Sequence, residues 1–235
     1  MDAFSGVAGF VRMTEAKVHD RKFLYHIDLP ANSFIVFDKA YNLYSQFDKW
    51  TKKKIWFVTR MKDNAVFQVT KVLIDKTRKK KATGIIKEQL VTVGYKNTAG
   101  SEIRLLLRRI TFKAEDGKIY IFITNNTTLA AFQIALIYKC RWRIELLLKQ
   151  IKQNFPLRYF WGNSENAIKM QVYCVLIAQL LMVVIRKKAA TKKSFANMIT
   201  VIRLHLMSYV ELFAFIKDIY KAWRKTHNAP NAFAT

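Results

Sequence analysis

Acidic residues are scarce in this sequence. Its 235 residues include 16 Asp and Glu against 41 Lys and Arg, which gives a formal net charge of +25. A folded chain this basic repels itself, and the repulsion is relieved when Lys and Arg neutralise the phosphates of a polyanion. We therefore expect nucleic acid to be the main partner; a generally basic proteome and adhesion to anionic lipid are the alternatives.

Glycine, proline and cysteine are scarce as well. The 7 Gly and 3 Pro exclude fibrous and low-complexity proteins. The two cysteines, Cys140 and Cys174, have neither metal-ligand nor redox spacing, so we expect buried thiols in a reducing compartment. The opening residues MDAFSGVAGF lack the basic and apolar regions of a signal peptide.

Long hydrophobic runs are missing too. The most apolar stretch, 170–185, contains Gln171 and Gln179 and falls short of the roughly 20 apolar residues that a membrane span needs. We predict a buried core helix there, and no membrane partner.

The order of apolar patterns predicts an α/β fold with a β-rich block in its middle. Short apolar runs at 34–37 and 55–59 are typical of strands buried on both faces. Further strands are predicted where β-branched and aromatic residues dominate, at 66–74, 84–94, 103–112 and 118–124. Helices are predicted at 128–154, 164–187 and 194–217. We divide the chain accordingly, into 1–60, a β-rich insertion 61–127, helices 128–220 and a flexible tail 221–235.

A row of polar residues marks the first predicted helix. Its members recur every three or four residues, which places them on one helical face: Tyr138, Arg141, Glu145, Lys149 and Lys152. An apolar stripe with the same spacing lies beside this row and predicts a buried neighbouring face. On periodicity alone a solvated amphipathic helix is favoured, because Arg141 and Glu145 also form an ordinary i,i+4 pair.

The pattern Tyr-x₂-Arg-x₃-Glu-x₆-Lys in this helix resembles the signature of DDE transposases of the insertion-sequence-four type. Three flanking blocks resemble the same family and stand in the right order. They are FDKAY at 37–41, FVTRMKDN at 57–64 and FWGNSENA at 160–167. The resemblance covers about residues 7–185.

The resemblance implies a partial RNase H-like catalytic core, with the β-rich block inserted between the second and third acidic positions and helices at the carboxyl end. It implies that Asp38 and Glu145 are catalytic, metal-binding carboxylates in a site where three carboxylates hold two Mg²⁺ ions. Arg141 and Lys152 would grip DNA phosphates near the cleaved end. Tyr138 would stack on a base or donate to a phosphate; a half-buried helix aromatic is the alternative.

Further basic residues extend the predicted DNA-binding surface. They are Lys149, Arg60, Lys62, Lys79, Lys80 and Lys81. For the last three a solvated hairpin tip is the alternative. Arg104, Arg108 and Arg109 are additional candidates, but the sequence does not show which face of the strand each of them occupies. The implied partners are double-stranded DNA, as transposon ends and target, and a second copy or an intact transposase, in the bacterial cytoplasm at the nucleoid.

The sequence departs from the family at the first of the three acids. That acid stands in an Asp-Ser/Gly-Thr-type motif on an opening strand, and none of the acids before Asp38 has this context. Asp2 is too close to Asp38 for the strands and helix that should separate them. We therefore predict a carboxy-terminal fragment that is inactive alone in DNA cleavage and strand transfer. The alternative is a non-catalytic DNA-binding remnant or an inhibitor of an intact transposase.

Overall fold

The computed structural model describes residues 13, 20–75, 84–96, 99–155, 157, 159–206 and 211–227. They fall into two compact units, of which one ends at Arg143 and the other begins its helical part at Ile144.

The first unit is built on a six-stranded sheet with the order β1-β2-β6-β5-β4-β3. Its strands are β1 (Phe34–Val36), β2 (Trp56–Arg60), β3 (Gln68–Asp75), β4 (Ile85–Lys96), β5 (Glu102–Lys113) and β6 (Ile119–Thr124). Strands β1 and β2 are parallel and the other neighbours are antiparallel. The mixed α/β class and the strands of the β-rich block are thus confirmed, and β6 joins that block directly to β2. The division at residue 61 stays a prediction.

Strand β1 lies at one edge of the described sheet, and its Phe34 is exposed. The expectation that this run is buried on both faces is therefore wrong among the described residues. An apolar run fits an edge strand as well as a central one, because periodicity does not report how many neighbours a strand has.

Helices cover both faces of the sheet near β2. Two short 3₁₀ helices, Asp20–His26 and Lys39–Tyr41, precede α1 (Tyr44–Lys52), and α2 (Ala131–Lys139) follows β6. Successive residues of a strand point to opposite faces. Accordingly Phe57 packs with Phe47 and Trp50 of α1, whereas Val58 packs in a second cluster with α2.

The helix predicted at 128–154 is in fact two helices, α2 and α3 (Trp142–Asn154). Between them the N–H groups of Cys140, Arg141 and Arg143 donate to carbonyls three residues earlier, at 3.0–3.1 Å. The prediction of one continuous helix is therefore wrong, because it assumed an unbroken repeat of 3.6 residues. The polar row from Tyr138 to Lys152 is divided between the two helices, and its common face stays a prediction.

The second unit is helical. Besides most of α3, it contains α4 (Glu165–Ala189), α5 (Phe195–His205), α6 (Leu212–Lys217) and α7 (Ile219–His227). One apolar cluster centres on Met198 and Ile216, and another joins Leu147 and Ile151 of α3 to Val175 of α4.

Helix α4 departs from the buried core helix predicted for 170–185. It has 25 residues and is long and apolar enough to cross a membrane, yet only 11% of its most apolar window is buried. Its exposed apolar side chains recur at helical spacing, at Met170, Tyr173, Ile177, Leu181 and Val184.

The predicted burial of the cysteines is also wrong, since Cys174 on this helix is exposed and Cys140 is partly exposed. Composition alone does not say which helix faces find a partner. The absence of a membrane partner stays a prediction.

Candidate functional site

Asp38 and Arg60 lie at the carboxyl ends of neighbouring parallel strands. Asp38 follows β1 by two residues, Arg60 ends β2, and Val36 pairs with Val58 in the register between them. Carboxyl ends of parallel strands meet at one edge of a sheet, where α/β proteins commonly place their ligands. The predicted position of Asp38 at the end of a strand is confirmed.

The carboxylate of Asp38 is held by two donors. Its Oδ1 accepts the N–H of Ala40 at 3.1 Å, so Asp38 also caps the 3₁₀ helix Lys39–Tyr41. Its Oδ2 accepts Nη2 of Arg60 at 3.1 Å, in an ion pair whose two side chains are each about two-thirds buried. Arg60, predicted to contact DNA, is thus engaged with the predicted catalytic acid.

The surroundings of Asp38 favour its ionised form. Burial raises the pKa of Asp38, but the Ala40 hydrogen bond, the hydrogen bond and charge of Arg60, and the charge of Arg141 together outweigh burial. The pKa therefore lies below its ordinary value of 3.8. At neutral pH the site presents a carboxylate beside two guanidinium groups.

Tyr138 is a core aromatic. Its ring lies 4.8 Å from that of Phe122 and packs in the cluster beneath α2. Its hydroxyl is buried close to the guanidinium groups of Arg60 and Arg141. Burial raises the pKa of this hydroxyl, and the nearby Arg60 and Arg141 offset only part of that effect. The guanidinium of Arg141 lies 5.7 Å from the centre of the Tyr138 ring.

A polar network that the sequence analysis missed fixes the two loops at this edge. Asn42 is buried; its Nδ2 donates to the Arg60 carbonyl at 2.9 Å, and its Oδ1 accepts Oγ1 of Thr59 at 3.1 Å. Lys39 pairs with Asp63 at 2.7 Å across the same loops. The signal for this network was weak: a Thr within an apolar strand and an Asn after a short turn.

The structure thus brings together Asp38, Arg60, Tyr138 and Arg141, all in the first unit. Lys62 lies in the loop after β2 and is partly exposed. Glu145, Lys149 and Lys152 lie on α3 within the second unit, Glu145 partly buried and both lysines exposed. Lys79, Lys80 and Lys81 lie outside the described residues.

The faces of the three arginines on β5 are now settled. Arg104 is exposed, whereas Arg108 is buried against Glu88 and Arg109 is half-buried beside Gln89. Arg108 is therefore a structural residue, not a contact for DNA.

The resemblance implied a two-ion metal centre, and the described residues fit it only in part. Asp38 supplies the hard oxygen ligands that Mg²⁺ prefers. Both its oxygens, however, already accept hydrogen bonds from Ala40 and Arg60. Nowhere in the described ranges do three or more His, Cys, Asp or Glu side chains form a group that could hold a metal ion. These residues by themselves do not complete the centre.

The ion pair of Asp38 makes stability depend on pH. A carboxyl whose pKa is lowered by folding contributes stability above its unfolded pKa, here 3.8, and loses it as pH falls through the lower folded value. Asp38→Asn is expected to cost about 1 kcal/mol of unfolding free energy at neutral pH. We expect this difference to shrink below about pH 4, as measured by urea denaturation over a pH series.

Asp63→Asn is the matched control, because the ion pair of Asp63 with Lys39 involves a fully exposed carboxylate. It should change stability less than Asp38→Asn does. A cost for Asp38→Asn that is constant from neutral to acidic pH would contradict a lowered pKa.

Comparison with known proteins shows the family to which the chain belongs. Residues 1–181 match the family described as the transposase DDE domain. A protein named as a transposase in Sinorhizobium fredii is 33% identical over 170 residues, covering 72% of this chain and 47% of that protein. A protein named as the transposase of the element IS5377 in Geobacillus stearothermophilus is 26% identical over 152 residues, 65% of this chain and 39% of its own. A protein named as the transposase of the element IS4SA in Synechocystis is 37% identical over 93 residues, which cover 39% of this chain and 25% of that protein.

The chain spans less than half the length of these curated relatives. The family match covers most of the chain and includes β1, Asp38 and the helices that carry the Tyr-Arg-Glu-Lys pattern. This protein belongs to the family of transposase DDE domains.

Proposed function

We propose that this chain is part of a transposase that acts on the DNA of insertion-sequence ends, with Asp38 and Glu145 as two of its catalytic carboxylates. The observation that carries the proposal is the ionised Asp38 at the end of β1, held beside Arg60 and Arg141. The lowered pKa keeps Asp38 ionised at neutral pH, which is the form of a carboxylate that binds a metal ion. Guanidinium groups next to it suit the phosphate whose ester bond is to be broken.

Mg²⁺ is the proposed cofactor. Members of this family generally use divalent metal ions, and such ions bind carboxylate oxygens. When bound, two ions would supply the activation of the attacking oxygen and the stabilisation of the leaving one. Arg60 competes with a metal for Oδ2 of Asp38, so we propose that Arg60 turns toward phosphate when the site is loaded.

DNA is held, in this proposal, by Arg141, Lys149 and Lys152, with Tyr138 supporting Arg141 from the core. Lys62 and Lys79–Lys81 would extend the contact along the backbone. The partners are double-stranded DNA and a second copy or an intact transposase, in the bacterial cytoplasm at the nucleoid and without a membrane.

Two carboxylates are too few to hold two ions, so we propose that the chain is inactive alone. The alternative is a non-catalytic DNA-binding remnant or an inhibitor of an intact transposase. The net charge of +25 favours DNA binding under both proposals.

Binding and cleavage by the purified chain test the proposal together. We expect duplex binding that weakens steeply with salt, because each phosphate contact adds about 0.9 to the slope of log affinity against log salt. Arg141→Ala and Lys152→Ala should each weaken binding and lower that slope. Lys118→Ala is the control, because Lys118 lies at a hairpin turn and pairs with Asp116.

Cleavage is read as nicking of a supercoiled plasmid with Mg²⁺. We expect none from the chain alone. Mg²⁺-dependent nicking that disappears in Glu145→Ala would contradict the inactivity and establish the catalytic role. Duplex binding that is insensitive to salt would contradict DNA as the partner.

A further inference from the structure

Three consecutive aromatic residues stand exposed in the loop between α3 and α4. Tyr159 is 79% exposed and Trp161 92% exposed, and Phe160 between them is also exposed. Large aromatic side chains are on average well buried in folded proteins. A run of three in contact with solvent marks a surface that has a partner.

This aromatic loop, Tyr159–Trp161, is clamped to α4 by one side chain. Gln171 donates from Nε2 to the Tyr159 carbonyl at 2.8 Å, and its Oε1 accepts the N–H of Trp161 at 3.1 Å. The amide thus satisfies the backbone on both sides of Phe160. The rings are presented by a fixed backbone, so little conformational entropy is lost when a ligand binds them.

The end of the loop is fixed as well. A Cβ on Gly162 would lie 2.8 Å from Cβ of Ala167, so only glycine allows this close approach to the first turn of α4. Ser164 caps that helix, its Oγ accepting the N–H of Ala167 at 3.2 Å. These contacts hold the aromatic loop against the start of α4.

The segment that carries the aromatic loop is rich in basic residues and poor in acidic ones. The sequence has no Asp or Glu between Glu145 and Glu165. Within that interval Lys149 and Lys152 are exposed on α3, the helix that leads into the loop. The acid that follows the interval, Glu165, is paired with Lys169. Exposed aromatics combined with cations are features of surfaces that bind single-stranded nucleic acid, where bases stack on the rings and lysines contact the backbone.

We infer that the aromatic loop is a stacking platform for unpaired bases of single-stranded DNA. Bases within a duplex are already stacked on their neighbours and cannot cover the rings, whereas unpaired bases can. The inference rests on the DNA binding proposed above and adds a preference for unpaired segments.

The test compares binding of the whole chain to a short oligodeoxythymidylate and to a duplex. Trp161→Ala is expected to weaken oligodeoxythymidylate binding about tenfold or more, the scale of one lost base stack. Duplex binding should change little. The salt slope of oligodeoxythymidylate binding should stay the same, because stacking releases no counterions. Trp161→Phe should retain most of the affinity, and Gln171→Ala should lose part of it by freeing the loop.

Tyr220→Ala is the matched control, since Tyr220 is 80% exposed on α7 of the same unit. It should leave both affinities unchanged. The inference is overturned if Trp161→Ala binds oligodeoxythymidylate as the parent does, or loses duplex affinity equally. It is also overturned if the variant instead changes the oligomeric state in sedimentation, which would identify a protein partner. If the parent chain binds duplex but shows no binding to oligodeoxythymidylate, the platform alone is refuted. If the parent chain binds neither DNA, the proposed function is refuted as well.

Discussion

Replacing Glu88 with alanine is expected to lower the free energy of unfolding by about 3–5 kcal/mol. Nε of Arg108 lies 2.7 Å from Oε1 of Glu88, and the two side chains are only 5% and 7% exposed. Removing the carboxylate leaves a guanidinium buried without a counter-charge, which costs far more than an exposed ion pair contributes. Urea denaturation followed by circular dichroism measures the loss.

The Glu88→Ala substitution is also expected to affect the candidate site. Nη1 of Arg108 also donates to the carbonyls of Asn126 and Leu129, in the segment that leads into α2. Helix α2 carries Tyr138, so we expect Glu88→Ala to loosen the placement of this ring before the sheet itself unfolds.

Glu102→Ala is the matched control for this variant, because Glu102 is an exposed glutamate on the neighbouring strand β5. Its effect should stay within about 0.5 kcal/mol. If Glu88→Ala costs no more than Glu102→Ala does, Arg108 finds another partner or reaches water, and the ion pair is not essential to the sheet.

The second large effect is expected at Phe57, where alanine should cost about 3–5 kcal/mol. Phe57 is fully buried, and its ring stacks on Phe47 at 4.2 Å between centroids and contacts Trp50. The substitution removes these contacts and leaves a cavity between β2 and α1. Because β2 ends at Arg60, the variant should also weaken the Asp38–Arg60 pair; the fall in unfolding free energy is again read from urea denaturation.

Phe34→Ala serves as the comparison, since Phe34 is an exposed phenylalanine on β1 of the same sheet. It should cost less than about 1 kcal/mol. Equal costs for the two variants would mean that the aromatic cluster around Phe57 is not the main core of this unit.

Much of the fold follows from local pattern. The strands of the β-rich block agree with their predicted bounds to within two residues, as do both ends of α4. Alternating β-branched residues and N-cap serines are local features, so they can be recognised without knowing the neighbours. The position of Asp38 was predictable for the same reason, because it directly follows a short apolar run.

Other features depended on contacts between distant residues. Arg60 and Asp38 are 22 positions apart, and Arg108 and Glu88 are 20 apart. Nothing in the sequence distinguishes these arginines from the many others in a chain of this charge. The pairing of β1 with β2 and of β4 with β5 decided which of them meet an acid.

The Tyr-Arg-Glu-Lys pattern also depends partly on local sequence and partly on tertiary structure. The sequence by itself determined the family and the residues that carry its pattern, because a fixed spacing of Tyr, Arg, Glu and Lys survives any local distortion. Only the tertiary structure decided that the pattern is carried by two helices: α2 ends just after Tyr138, which packs in the core, and α3 begins before Glu145. It also left little of α4 buried, because apolar residues favour burial but a packing partner must be present to bury them.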